Sequence, residues 1–210
     1  MVRRPSLRWV VSGFASVVLI LAVLEGLWVN GALRVPGFDP RGEQNVPVAV
    51  ATATLLGAAV LAWSVASTAS FIRVRAWPLI GLGAVLVYMA ADEFLELHEG
   101  VEEAAEGTSW MWFYLPIVAM AAGCWILAVF DLGDFPLARV MLGVGALAWL
   151  ALEYWQWGGN SSVLEHPWMM VPEEALELLG SGLFAGGALV VLRDPRARQG
   201  LESMTAIRHQ

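Results

Sequence analysis

The sequence predicts an all-α integral membrane protein, a six-transmembrane-helix bundle with both termini in the cytoplasm. Of its 210 residues, 58% are hydrophobic and only 15% are charged, and the mean hydropathy is +0.64. A span needs about 20 apolar residues to cross a hydrocarbon core of roughly 30 Å, and windows of that kind recur along the chain between polar loops. The arginines are distributed unevenly among those loops. Together these observations exclude a water-soluble domain.

Six spans are predicted within a single membrane domain that covers residues 1–210, and residues 193–210 form a cytoplasmic tail. The spans lie at about 9–29, 46–66, 77–97, 110–130, 137–157 and 173–192. The first resembles a signal peptide because arginines precede it, but it carries Glu25 and Trp28 near its end and has no small-residue cleavage site. We therefore expect a retained helix. The sixth is expected to begin at Pro172, with proline at the first helical position and Glu173 acting as a cap.

The orientation of the bundle follows from the arginines, since cytoplasmic loops are enriched in basic residues. With six spans, only Arg34 and Arg41 of the 12 basic residues fall on the outer side. Both termini are therefore expected in the cytoplasm. Most of the 19 acidic residues lie on the opposite, outer side; Asp131, Asp134, Asp194 and Glu202 are the cytoplasmic ones.

Several classes of function are excluded by composition. All 12 basic residues are arginine, so the chain has no lysine for a Schiff base with retinal or pyridoxal and none for a P-loop. The single cysteine, Cys124, rules out a disulfide framework or a thiolate metal cluster within the chain. A net charge of -7 argues against nucleic acid as a partner. Membrane lipids are the expected surroundings.

Four predicted spans each carry one carboxylate at a similar depth below the outer boundary. These residues are Glu25, Asp92, Glu153 and Glu177. Each lies four or five residues from the outer end of its span, hence ~6 to 8 Å deep at 1.5 Å per residue. An ionisable group in hydrocarbon costs at least ~2.5 kcal/mol, and several carboxylates together repel one another. We therefore expect a bound cation or shared protons in this layer.

The neighbouring residues extend this layer into a candidate metal site. Tyr88 lies one helical turn below Asp92 and is expected to donate to it, while Glu174 and Glu177 form an i, i+3 pair able to share one ion. The predicted metal ligands are Glu25, Asp92, Glu96, His98, Glu153, Glu174 and Glu177. Tyr88 and His98 are the predicted catalytic proton donors. The roles of His166, Glu93 and Glu99 are left open.

The motifs in the second half of the chain resemble those of a family of uncharacterised bacterial multi-span membrane proteins. The family reads D-E-x(4)-H-E, then a glutamate in the following span but one, then E-E-x-x-E-x-x-G. The matching residues here are Asp92, Glu93, His98, Glu99, Glu153, Glu173, Glu174, Glu177 and Gly180. The resemblance covers roughly residues 88–192 and implies that these positions form one motif set in a bacterial cytoplasmic (inner) membrane. It implies no activity.

Three functions fit these observations. The first is a divalent metal site, with iron, manganese or zinc as the cofactor, that performs metal-dependent chemistry on a lipid-delivered or extracytoplasmic substrate. The second is a proton or cation translocator. Against it, the inner halves of the spans carry no acidic or basic residue apart from Arg139, at the cytoplasmic end of the fifth span. The third is a non-catalytic assembly subunit, whose partner is a second copy of the chain or another membrane protein. The sequence does not decide whether the protein is an enzyme.

Overall fold

The fold was obtained as a computed structural model that describes residues 7–33, 36–38, 45–95, 97, 101, 111–158 and 167–207. Side chains are described for 12–33, 37–38, 45–95, 97, 101, 112, 114–151 and 171–203. Over these ranges the chain is helical between short turns and contains no strand. The helices are α1 (Leu7–Val29), α2 (Val46–Ser67), α3 (Ala69–Ile72), α4 (Ala76–Leu95), α5 (Met111–Asp131), α6 (Pro136–Gly158), α7 (Pro167–Leu192) and α8 (Pro195–Ile207), with a 3-10 turn at Pro36–Phe38.

Five of these helices, α1, α2, α4, α5 and α7, contain stretches long and apolar enough to cross a membrane. Helix α6 covers the fifth predicted span. Its side chains are described only as far as Ala151, and the apolar stretch Pro136–Ala151 is shorter than those of the other helices. The prediction of an all-helical chain with several helices able to span a membrane is therefore confirmed for the described residues. The count of six spans and the location of the termini stay predictions.

Local sequence explains where several helices begin and end. The side chain of Asn45 accepts a hydrogen bond from the backbone N–H of Val48 at 2.8 Å and so caps α2. At the other end of α2, Thr68 separates it from α3, and Arg73 adopts a left-handed conformation with φ of 58° before α4. The expected start at Pro172 is wrong, because α7 begins at Pro167 and Pro172 lies inside it. Pro167 is the proline at the helix start, where a missing N–H costs least.

Helices α2 and α7 are the centre of the bundle. Helix α2 packs against α4 and α7, while α7 also packs against α1 and α6; α5 packs mainly against α4. Glycines allow the close approaches: a Cβ on Gly180 would lie 2.5 Å from Trp149 Cδ1 and 3.0 Å from the Gly145 carbonyl oxygen. Small residues at helix crossings let membrane helices pack by close van der Waals contact.

Hydrogen bonds show which helix ends meet. The start of α2 contacts the early part of α7 through Asn45 and Glu174, and the start of α5 contacts the end of α4 through Tyr114 and Asp92. We call this the acidic end. At the opposite end, Arg75 before α4 binds Asp131 at the end of α5. We call this the arginine end.

Candidate functional site: buried carboxyl groups at the acidic end

The most deeply buried carboxyl group of the described side chains belongs to Glu25, which is 1% exposed. It lies near the end of α1, within hydrogen-bonding reach of the carboxyl group of Glu174 on α7. Asn45 Nδ2 donates to Glu174 Oε1 at 2.9 Å, while Asn45 Oδ1 is held by the start of α2. Three helices thus bring two carboxyl groups and one amide together in the protein interior.

Two oxygens of this arrangement have no partner. Within the described part of the chain, Glu25 Oε1 and Glu174 Oε2 are buried and accept no hydrogen bond. Buried polar atoms are almost always hydrogen-bonded, because leaving one unpaired costs about 1–3 kcal/mol. A proton shared by the two carboxyl groups or a bound cation would satisfy these free acceptors.

A second contact between carboxyl groups lies one turn further along α7. Glu177 is 7% exposed and approaches Glu93 of α4 within hydrogen-bonding reach, and it interacts electrostatically with Glu173 and Glu174. We call Glu25, Glu93, Glu173, Glu174 and Glu177 the acid cluster. It joins α1, α4 and α7, so acidic groups that are distant in sequence share one region.

Asp92 has a different partner from those of the acid cluster. The hydroxyl of Tyr114, on α5, donates to Asp92 Oδ1 at 2.7 Å. The ring of Tyr88 lies edge-on against that of Tyr114, with 5.9 Å between ring centroids, and the two side chains are within hydrogen-bonding reach. Tyr88 was the predicted donor to Asp92. The neighbouring Tyr114 is the residue that donates to Asp92 in the structure.

The structure describes only part of the predicted site. Glu25, Glu174 and Glu177 lie in one region, and Asp92 accepts a hydrogen bond from Tyr114. Glu96, His98, Glu99, His166 and the side chain of Glu153 lie outside the described residues. Among the side chains that are described, no group of three or more His, Cys, Asp or Glu residues is arranged to hold a metal ion.

The sequence analysis missed Asn45 and Tyr114 as site residues. An asparagine directly before Val-Pro is a capping signal for the start of α2, but nothing in that signal indicates the second bond to α7. Tyr114 is as close to the start of α5 as Asp92 is to the end of α4. That symmetry was a usable signal, because neighbouring antiparallel helices place such positions at one depth.

No described arginine neutralises the acid cluster. The arginines within the described helices lie at or near the arginine end of their helices, and Arg75 and Arg196 form ion pairs there. Arg34 and Arg41, predicted on the outer side, fall outside the described residues. Glu25 and Glu174 lie within reach of each other, Glu174 and Asp92 accept from an amide and a phenol respectively, and Glu177 lies within reach of Glu93.

Comparison with known proteins places the chain in one domain family. No match was found among curated proteins or among solved structures. A family of domains matches residues 11–192. Because this match spans most of the 210 residues, the chain belongs to the family described as "Domain of unknown function (DUF8692)".

Proposed function

We propose that the protein is a six-span protein of a bacterial inner membrane whose acidic end faces outward and exchanges protons with the outer aqueous phase. The termini lie in the cytoplasm, as the arginine distribution predicts. The proton-exchanging groups are Glu25 and Glu174. The observation that carries the proposal is the pair of buried, unpartnered oxygens on these two facing carboxyl groups.

A single shared proton satisfies this geometry. When both groups are ionised, two acceptors face each other and repel, and nothing donates to Glu25 Oε1 or Glu174 Oε2 among the described residues. A protonated carboxyl group is a donor, so one proton turns the contact into an O–H···O⁻ hydrogen bond. Asn45 supports the arrangement because its amide donates to the remaining oxygen of Glu174. The pair therefore gains or loses one proton while its surroundings stay in place.

Proton exchange explains the surroundings of the pair better than metal binding does. Asn45 presents an N–H group to Glu174, whereas a metal ligand at that position would present its oxygen. Apart from Arg139 at the cytoplasmic end of the fifth span, the inner halves of the spans carry no acidic or basic residue, which argues for exchange on one side of the membrane rather than transport through it.

Infrared difference spectroscopy of the protein in lipid bilayers tests the proposal directly. We expect the C=O stretching band of a protonated carboxylic acid at neutral pH, shifted in D2O and lost in strong alkali. Glu25→Gln should reduce the band by the share of one carboxyl group, since an amide donates to Glu174 without a titratable proton; the contact between Glu177 and Glu93 can supply the remainder. Glu202→Gln, an exposed change near the arginine end, is the matched control and should leave the band unchanged. A Glu25→Gln protein with the same band intensity as the wild type would overturn the assignment.

A divalent metal is the second candidate, favoured by the same free oxygens on Glu25 and Glu174. It requires Glu96, His98 or Glu153 to join the acid cluster and complete a ligand set. In that case Tyr88 and His98 are the proton donors for a substrate delivered from the lipid. Elemental analysis should find bound metal, and a chelator should lower thermal stability in the wild type but not in Glu177→Gln. A metal-free, chelator-insensitive protein excludes this candidate.

A further inference from the structure

Two exposed arginines at the arginine end have no carboxylate partner among the described side chains. Arg73 follows helix α3, and Arg198 lies near the start of α8. Neither forms an ion pair with any side chain that the structure describes, whereas Arg75 and Arg196 are paired with aspartates. Glu202 lies one turn along α8 from Arg198, but no ion pair joins the two. This end therefore carries positive charge that the described part of the chain does not neutralise.

Helices α3 and α8 bring the two arginines to one corner of the bundle. The helices pack against each other, and a Cβ on the buried Gly200 of α8 would lie 2.8 Å from Phe71 Cδ2 of α3. Arg73 is two residues from Phe71 in the chain, and Arg198 is two residues from Gly200. Both arginines therefore flank the same contact. We call Phe71, Arg73 and Arg198 the basic corner.

The backbone of Arg73 is strained. Its φ of 58° and ψ of 43° are left-handed, and it is the one non-glycine residue with positive φ in the described part of the chain. Glycine adopts this conformation freely, whereas a residue with a Cβ does so at a cost in free energy. A side chain that is kept where glycine fits better indicates a use for that side chain. Its guanidinium has no such use within the described residues, so its partner lies outside them.

The surroundings of the basic corner match the level of lipid headgroups. Phe71 is 43% exposed, and Trp77 at the start of α4 is 54% exposed. Exposed aromatic rings at the ends of membrane helices are typical of the interface between hydrocarbon and water. An anionic lipid fits both features, because its phosphate accepts hydrogen bonds from guanidinium groups while its chains cover the rings. A soluble anion would satisfy the arginines and leave the rings in water.

We propose that the basic corner binds the headgroup of an anionic phospholipid, with Arg73 and Arg198 as donors to its phosphate. Arginine suits this partner because its planar guanidinium forms two parallel hydrogen bonds to phosphate oxygens. In the predicted orientation the lipid belongs to the inner leaflet, where anionic lipids attract basic residues. The corner lies at the opposite end of the bundle from Glu25 and Glu174, so this binding is separate from the proposed proton exchange.

Two lipids with the same chains test the assignment. Dioleoylphosphatidylglycerol is anionic, and dioleoylphosphatidylcholine is zwitterionic. Native mass spectrometry of the purified full-length protein in detergent measures how much of each lipid binds at a given concentration. One arginine near an anionic lipid surface contributes a factor of about five in affinity, so we expect the anionic lipid to bind more than about fivefold more tightly. Equal affinities for the two lipids would overturn the assignment.

Single substitutions locate the site. Arg73→Gln and Arg198→Gln should each weaken binding of the anionic lipid about fivefold and leave binding of the zwitterionic lipid unchanged. Arg139→Gln is the matched control, because it removes the same charge from α6, outside the basic corner, and it should bind both lipids like the wild type. If Arg139→Gln weakens binding as much as Arg73→Gln does, the attraction is a diffuse effect of net charge and the basic corner is not the site.

Arg73→Gly separates loss of the site from loss of the fold. Glycine relieves the left-handed strain, so without lipid this variant should melt at no lower temperature than the wild type, yet it should bind the anionic lipid about fivefold more weakly. Wild-type affinity in Arg73→Gly would contradict the proposal.

Two further measurements identify the source of the phosphate and keep the two proposals apart. Inorganic phosphate, which lacks chains to cover Phe71, should not displace the anionic lipid; displacement at equal concentration would assign the basic corner to a soluble anion instead. Glu25→Gln should bind the anionic lipid like the wild type, so loss of proton exchange and loss of lipid binding are distinguishable.

Discussion

The two ends of the bundle differ in the partners of their carboxylates. At the arginine end, Arg75 holds Asp131 with a contact of 2.7 Å, and Arg196 holds Asp194 at 3.0 Å and Asp134 at 3.3 Å. At the acidic end, the described carboxyl groups contact one another, Asn45 or Tyr114. Each aspartate named at the arginine end has a cation beside it, and the acid cluster has none among the described side chains.

We call the arginine end structural, because arginines neutralise its carboxylates, and the acidic end chemical, because its buried carboxyl groups need a proton or a cation. An exposed ion pair with arginine keeps a carboxylate ionised and contributes little to stability. A carboxylate buried beside another carboxylate stays in place only if a proton or a cation compensates the charge. The ion pairs at the arginine end tie neighbouring helix ends together. The proposed function assigns the exchange of protons to the acidic end.

The largest expected effect tests how strongly the acidic end depends on Asn45. Asn45→Leu removes the cap of α2 and the amide that donates to Glu174. Asn45 and Glu174 are both buried. We expect a loss of about 3 kcal/mol in the free energy of unfolding, about 1 kcal/mol for the cap and the rest for the unpaired carboxyl group. Unfolding in mixed micelles measures it. Asn45→Ser keeps a capping oxygen but not the amide, so it should lose about 2 kcal/mol, less than Asn45→Leu. If Asn45→Ser is as stable as the wild type, the bond to Glu174 contributes nothing.

The fold was more predictable from the sequence than the site. Apolar length sets the helices, so the predicted spans at 46–66 and 110–130 agree with α2 and α5 to within a residue. Helix starts are set by short-range signals such as a proline in the first turn. Two prolines, Pro167 and Pro172, lie near the start of α7, and the sequence prediction placed the helix start at the wrong one, Pro172. The tail 193–210 contains helix α8, which is too polar to resemble a membrane span and was not predicted as a helix.

The site was harder because depth along a helix says nothing about rotation around it. Glu25, Asp92 and Glu177 were predicted to share a depth, and the structure places Glu25 with Glu174 but directs Asp92 to Tyr114. Which residues meet depends on the order in which helices pack, and only the folded bundle fixes it. Convergence with Glu153, Glu96 and His98 stays a prediction.

The second prediction concerns a smaller, partly buried contact at the acidic end. Tyr114→Phe removes the hydroxyl that donates to Asp92 and keeps the ring that packs against Tyr88. We expect a loss of about 1.5 kcal/mol, the usual value for a hydrogen bond to a charged group. A double-mutant cycle with Asp92→Asn isolates the pair. If the two losses simply add, the hydrogen bond does not stabilise the protein.

The smallest effect is expected at the arginine end, from Asp194→Asn. The hydrogen bond from Arg196 lowers the pKa of Asp194 below its usual range. Because the folded pKa is the lower one, the stabilisation is complete above the ordinary aspartate range and disappears as the pH falls through the folded pKa. Asparagine keeps an oxygen for the backbone N–H of Arg196, so the start of α8 is preserved and only the charge is lost.

For that variant we expect a loss below about 1 kcal/mol at neutral pH, since solvent reaches both side chains of the pair and screens it. The difference between Asp194→Asn and the wild type should shrink in acid and in high salt, where protonation and screening remove the ion pair from both. Unfolding in mixed micelles at several pH values and salt concentrations measures this. A larger loss than that of Asn45→Leu, or one that persists in acid, would contradict the division into a structural and a chemical end, because the exposed ion pairs would then stabilise the bundle more than its buried carboxyl groups do.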